Sequence, residues 1–126
     1  MKFWIFMFIF NLLIPTIMII FGIIFKSRAP KNINYIYGYR TKMSMSGKDA
    51  WTFAHNYLGK LWVVLGIIIL ILSGIGMIFV LGHDKDTIGN VSSAITIVQL
   101  VFMIIPVIPT EIALKKNFDK NGNKKL

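Results

Sequence analysis

Residues 61–81 read LWVVLGIIILILSGIGMIFVL, an unbroken run without a charged side chain. As a helix rising about 1.5 Å per residue it would reach about 32 Å, enough to cross a hydrocarbon core of about 30 Å. Two further runs share this character. Residues 3–25 carry no charge, and residues 91–114 carry only Glu111. Each exceeds the length at which an apolar run is read as a transmembrane helix rather than a buried soluble one. The bilayer is therefore the solvent for most of this chain. The expected fold is an all-α integral membrane protein with three transmembrane helices, joined by a loop over 26–60 and an outer loop over 82–90. A basic tail follows over 115–126, whose five lysines, with Asn117, Asn121, Gly122 and Asn123, read as a mobile solvated end.

Hydrophobic residues make up 56% of 126 positions, which leaves no room for a second, soluble domain. The chain has no cysteine, so it has no disulfide framework, thiolate metal site or cysteine nucleophile. The net charge of +9 would suggest nucleic acid in a soluble protein, but its distribution argues otherwise. Seven of the 14 basic residues fall in 26–60 and five in the tail, and both segments flank membrane spans. That pattern fits attraction to anionic lipid and fixes a topology by the positive-inside rule. The loop 26–60 and the C-terminus are expected to be cytoplasmic at the plasma membrane, with the N-terminus and the outer loop outside. No direct nucleic-acid contact is expected. The first run is longer than a signal-peptide core and has only Lys2 before it, so it reads as a retained helix.

Polar and small residues inside the spans fall into stripes. Asn11, Pro15, Met18 and Gly22 share one face of the first helix. Pro15 has no N–H to offer the Asn11 carbonyl, so a kink is expected there. Gly59, Gly66 and Ser73 recur every seven residues in the second helix, where small residues let backbones approach. Ser92, Thr96, Gln99 and Met103 form a stripe on the third, whose end Pro106 and Pro109 disturb. These stripes read either as packing seams or as a polar pathway, and self-association of so small a bundle is a further expectation. Glu111, the one acid in a span, has two candidate roles: pairing with Lys115 on its own helix, or receiving a cation from the first loop, with Arg40 the leading candidate.

The loop 26–60 differs from the rest. Asn34 to Thr41 is rich in tyrosine, and Gly38 permits a tight turn or close backbone approach. Tyr35, Tyr37 and Tyr39 suit the headgroup layer. Ser46-Gly47-Lys48-Asp49 fits a capping box with Ser46 as N-cap, so a short interfacial helix is expected from Gly47 to about Tyr57. It would either lie flat or run on into the second span, with Trp51 at headgroup depth. Arg40 offers a planar fork for a carboxylate or a lipid phosphate, and His55 is the loop's titratable group. His83, Asp84 and Asp86 make a poor metal site. No cofactor motif, paired catalytic carboxylates or nucleophile triad is found, which disfavours an enzyme.

Gly38-Tyr39-Arg40-Thr41, followed by Ser44-Met45, Trp51, Ala54-His55 and Gly59, resembles the signature of the SdpI/YfhL family of bacterial membrane proteins. The resemblance extends over the three-helix plan. It implies immunity to a secreted peptide toxin, with a small transcriptional repressor as a second partner held at the membrane. It also makes the signature residues the candidate binding site for a partner or lipid. Characterised immunity proteins of the family are longer, with further helices. The alternative is a small accessory or transport-related membrane component with no toxin role.

Overall fold

The computed structural model describes residues 1–34 and 38–125; Tyr35 and Tyr37, expected in the headgroup layer, lie outside the described residues. Four helices form the fold: α1 (Lys2–Ser27), α2 (Lys48–Ile78), α3 (Lys85–Ile104) and α4 (Val107–Asn117). Three stretches are long and apolar enough to span a membrane, namely Lys2–Ser27, Lys48–Ile78 and Lys85–Asn117 taken together. Apolar side chains such as Phe6, Val64, Leu72 and Ile97 cover the outside of the bundle, as expected where lipid is the solvent.

The stripes face inward and meet one another. Asn11, Pro15, Met18 and Gly22 are the buried positions of α1 together with Phe25, and Gly59, Gly66 and Ser73 are buried on α2. α1 and α2 share the most extensive contact in the molecule, because glycine lets their backbones touch. A Cβ placed on Gly59 would sit 2.6 Å from the Gly22 carbonyl oxygen and 2.5 Å from the Lys26 nitrogen. Any larger residue there must push the helices apart.

Pro15 does not end α1, which runs through it. The carbonyl that Pro15 leaves without a helical donor, that of Asn11, receives a hydrogen bond from Gln99 Nε2 at 2.7 Å. The same Nε2 donates to the Ser73 hydroxyl at 2.8 Å. The Asn11 side chain donates to the Ser92 carbonyl (3.1 Å) and Thr96 hydroxyl (3.0 Å), and accepts from the Ser92 hydroxyl. All three helices are thus stitched at mid-membrane, where an unpaired polar group is costly. The stripes behave as a seam. Among the described residues, one buried side-chain atom, Gln99 Oε1, has no hydrogen-bond partner, since the demand of the Asn11 carbonyl turns the amide nitrogen inward.

The third apolar run is two helices rather than one. Pro106 interrupts it, and α4 restarts at Val107. The Ile105 carbonyl, which Pro109 cannot serve, accepts from the Ile108 N–H at 3.0 Å instead. Trp62 Nε1 donates to the Met103 carbonyl at 3.1 Å, tying α2 to the break.

The loop helix runs directly into the second span, one of the two arrangements expected, since α2 is continuous from Lys48 to Ile78. Two expectations are corrected beside it, at the cap and at the tail. Ser46 does not cap it. Its hydroxyl donates to the Met43 carbonyl within a 3-10 turn (Ser44–Ser46), and Gly47 occupies the cap position without a side-chain bond. The tail is not a loose solvated end. Asp119 Oδ1 accepts from the N–H groups of Asn121 and Asn123, Phe118 bridges to Lys124, and Gly122 packs against Ser46 and Gly47. Phe118, 2% exposed, seals this hairpin onto Phe53.

Candidate functional site

The signature residues gather where α1 ends, α2 begins and α4 returns. Their centre is His55, fully buried on α2. Its Nε2 accepts the Tyr39 backbone N–H at 2.8 Å, so its proton sits on Nδ1, which donates to the Trp51 carbonyl at 2.8 Å. The ring is held edge-on to Phe25 and against Trp51, with centroids 4.9 and 4.3 Å away. A loop backbone group and a helix side chain thereby satisfy each other inside the protein, which is how a buried polar pair becomes stabilising rather than costly.

Gly38 makes that approach possible. Its φ is +102°, and a Cβ there would fall 2.6 Å from His55 Nε2. Glycine is required twice over, for conformation and for space. One residue on, the Tyr39 hydroxyl donates to Glu111 Oε1 on α4 at 2.6 Å. Burial, and then the neighbouring Glu111 carboxylate, push the Tyr39 hydroxyl above the usual tyrosine range, so it stays a donor. Glu111 is thus engaged by the signature loop through Tyr39, rather than through Arg40 as expected. The side chain of Arg40 is exposed.

The rest of the motif is a brace. The Thr41 N–H donates to Ser44 Oγ (2.8 Å) while the Ser44 N–H donates to Thr41 Oγ1 (3.1 Å), and Ser44 Oγ lies 3.1 Å from the Tyr39 carbonyl that accepts from it. The Met45 N–H reaches the Thr41 carbonyl at 3.0 Å. Trp51 is fully buried within the protein, and its Nε1 donates to the Pro30 carbonyl at 2.8 Å, fastening the first half of the loop. Ala54 packs with Tyr39, Leu58, Leu114 and Phe118, and Gly59 meets the α1 backbone. Most of the signature therefore spells a lock between loop and helices.

What the lock leaves accessible is a groove of about 440 Å³. Gly38, Tyr39 and Arg40 border it on the loop side, and Ile17, Phe21 and Phe25 of α1, Leu58 and Trp62 of α2 and Val107 of α4 complete it. It combines apolar walls with one guanidinium. Sequence reasoning singled out its loop side but not Ile17, Phe21 or Trp62, because apolar residues in a span look like lipid-facing ones until the neighbouring helix is placed.

Three membrane-spanning stretches with a loop locked over one end define a multi-pass helical membrane protein whose specialised element is that loop. The sequence model of the SdpI/YfhL protein family matches residues 31–110, from the loop to the first turn of α4. The chain belongs to the SdpI/YfhL family. It is 33% identical over 100 residues to the protein of Bacillus subtilis (strain 168) called uncharacterized protein YfhL, a match that takes in 79% of this chain and 77% of that relative. No solved structure matches it.

Proposed function

We propose that this SdpI-like membrane protein gives immunity to a secreted, membrane-active peptide, and that the groove beside Arg40 is where the peptide is intercepted. The carrying observation is the pairing of that groove with the signature loop: a concave apolar surface near a bundle end, bordered by Gly38, Tyr39 and Arg40. Interception requires no bond making. It needs a fixed surface for an apolar segment and a charge-assisted contact for a carboxylate or peptide carbonyl. The locked loop holds the groove's polar side in place. The basic character of the same end supports an orientation with the loop and C-terminus in the cytoplasm and the N-terminus outside.

The test is expression in a bacterium sensitive to a secreted peptide encoded beside the gene. Arg40→Ala should lower the tolerated peptide concentration about tenfold, the effect of losing one charge-assisted hydrogen bond. Ile17→Trp should do the same by filling the groove. Val64→Ala, on the outer surface of α2, should protect like the parent. Groove variants that protect fully at normal abundance would remove the groove from the mechanism. A parent chain that protects against no such peptide would favour the accessory-component reading.

A further inference from the structure

The first part of the loop lines a second concavity of about 550 Å³, and its chemistry is the opposite of the groove's. Lys26 and Arg28 from the end of α1, Lys31 from the loop and Lys48 from the start of α2 surround it, with Thr52 and Asn56 one and two turns further along α2. No acid lines it. Among the described residues, none of the four cations has an ion-pair partner. Asp49, adjacent in sequence to Lys48, is displaced around the helix and is not part of the wall.

The walls are built rather than incidental. Trp51 Nε1 fixes the Pro30 carbonyl on the loop side. The surroundings of the Asn56 amide turn its nitrogen toward α1, where it donates to the carbonyls of Phe25 (3.1 Å) and Lys26 (3.0 Å). These two bonds join the foot of the concavity to the last turn of α1 and also locate it. The uncharged run of α1 ends at Phe25, so Asn56 marks the edge of the hydrocarbon layer, and the four cations begin just beyond it. The exposed side chain of Ile23 lies one turn below Lys26, on apolar surface beneath the opening.

We propose that this concavity is a binding site for a phosphate-bearing anion, held by Lys26, Arg28, Lys31 and Lys48. Unneutralised cations at close quarters repel one another, and a phosphate relieves that repulsion while using several donors at once. The depth favours an anionic phospholipid, with its headgroup phosphate among the cations and an acyl chain along Ile23. The site is independent of the peptide reading, which concerns a groove that shares no described lining residue with it.

The experiment uses the full chain in nanodiscs of phosphatidylcholine with a minor share of phosphatidylglycerol, released and weighed by native mass spectrometry. The expected result is one retained phosphatidylglycerol per chain. Lys31→Gln with Lys48→Gln should lower its retention about 30-fold, from about fivefold for each lysine near the surface. Lys124→Gln with Lys125→Gln removes equal charge from the tail hairpin and should change retention by less than about twofold. Both double variants replace exposed side chains, and equal helical circular dichroism checks that they fold. Inorganic phosphate, compared with chloride at matched ionic strength, separates the two sources. Failure to displace the lipid assigns the site to a headgroup. Displacement, with saturable phosphate binding in pure phosphatidylcholine that the Lys31/Lys48 variant loses, assigns it to a free phosphate. Equal loss in both double variants would overturn the site, as would retention of neither anion.

Discussion

The two ends of the bundle solve the same problem with very different amounts of structure. At one end, α2 and α3 are joined by the short segment 79–84, in which Gly82 takes φ +85° and an added Cβ would meet nothing within 4 Å. Met77, Val80 and Ile88 pack there against Trp4 and Phe8, and Trp4 Nε1 closes the Met77 carbonyl at 2.8 Å. At the other end, a loop, a broken helix and a folded tail converge on His55 and Tyr39. A turn alone suffices to reverse a chain between antiparallel helices. The investment at the basic end therefore does something beyond connection: it fixes the border of the groove and a wall of the basic concavity.

Matched substitutions at the two ends test this contrast. The largest difference is expected between Gly38→Ala and Gly82→Ala. Both glycines have positive φ, but only Gly38 faces an obstacle, with His55 Nε2 2.6 Å from a new Cβ. Gly82→Ala should cost about 1 kcal/mol of backbone strain, and Gly38→Ala about 3 kcal/mol once the clash is added. Limited trypsin cleavage after Arg40 or Lys42 in detergent reads loop opening directly. Gly38→Ala should accelerate it about 100-fold, while Gly82→Ala leaves it near the parent rate. Equal rates would mean that the loop is not locked through this contact.

A middle-sized effect is expected from the histidines. His55→Ala removes the acceptor for the Tyr39 N–H and leaves a cavity beside Phe25 and Trp51, and should destabilise by about 2–3 kcal/mol. His83→Ala, at an exposed position of the short-loop end, should stay within about 0.5 kcal/mol. Thermal unfolding in detergent by circular dichroism compares the pair.

The smallest effect is expected from Tyr39→Phe, about 1 kcal/mol for the lost bond to Glu111. It also has a pH signature. The Tyr39 pKa is raised on folding, so its stabilisation is complete below the ordinary tyrosine range near 10 and is lost as pH rises toward the raised value. Trypsin cleavage of the parent loop should increase at strongly alkaline pH, and Tyr39→Phe should lose that increase. A parent loop that opens before ordinary tyrosines ionise would contradict the buried placement of Tyr39.

The spans were legible in the sequence because hydropathy is a local sum that needs no partner. The stripes were legible for a related reason. In lipid, Asn11, Ser92 and Gln99 have few places to go except toward one another. The lock was harder to read. Gly38 and His55 stood out as residue types, but Tyr39 to Glu111 spans 72 positions, and no local pattern states that pairing. Arg40 was the more obvious partner by charge, yet the neighbouring residue makes the bond. The capping box at Ser46 failed because a serine hydroxyl has competing local acceptors, and the Met43 carbonyl won. The tail contained a readable signal, Asn121-Gly122 after Asp119, that marks a turn, but its lysine content suggested a mobile solvated end instead.

The bond from Gln99 to the Asn11 carbonyl also has a consequence in time. Pro15 leaves α1 with a defect that is mended by a side chain 88 positions later. At bacterial synthesis rates of about 5–20 residues per second, roughly 4–18 seconds separate the emergence of the two. During that interval α1 sits in or beside the insertion machinery with a bare carbonyl, and α2 can align with it through glycine contacts alone. Arrival of the third span ends the wait. Ribosome-stalled chains halted before Gln99 should therefore hold α1 and α2 as a looser pair than the released protein does, and site-directed crosslinking between the Ile19 and Val63 positions, whose side chains flank the glycine contacts, would time the moment at which they close.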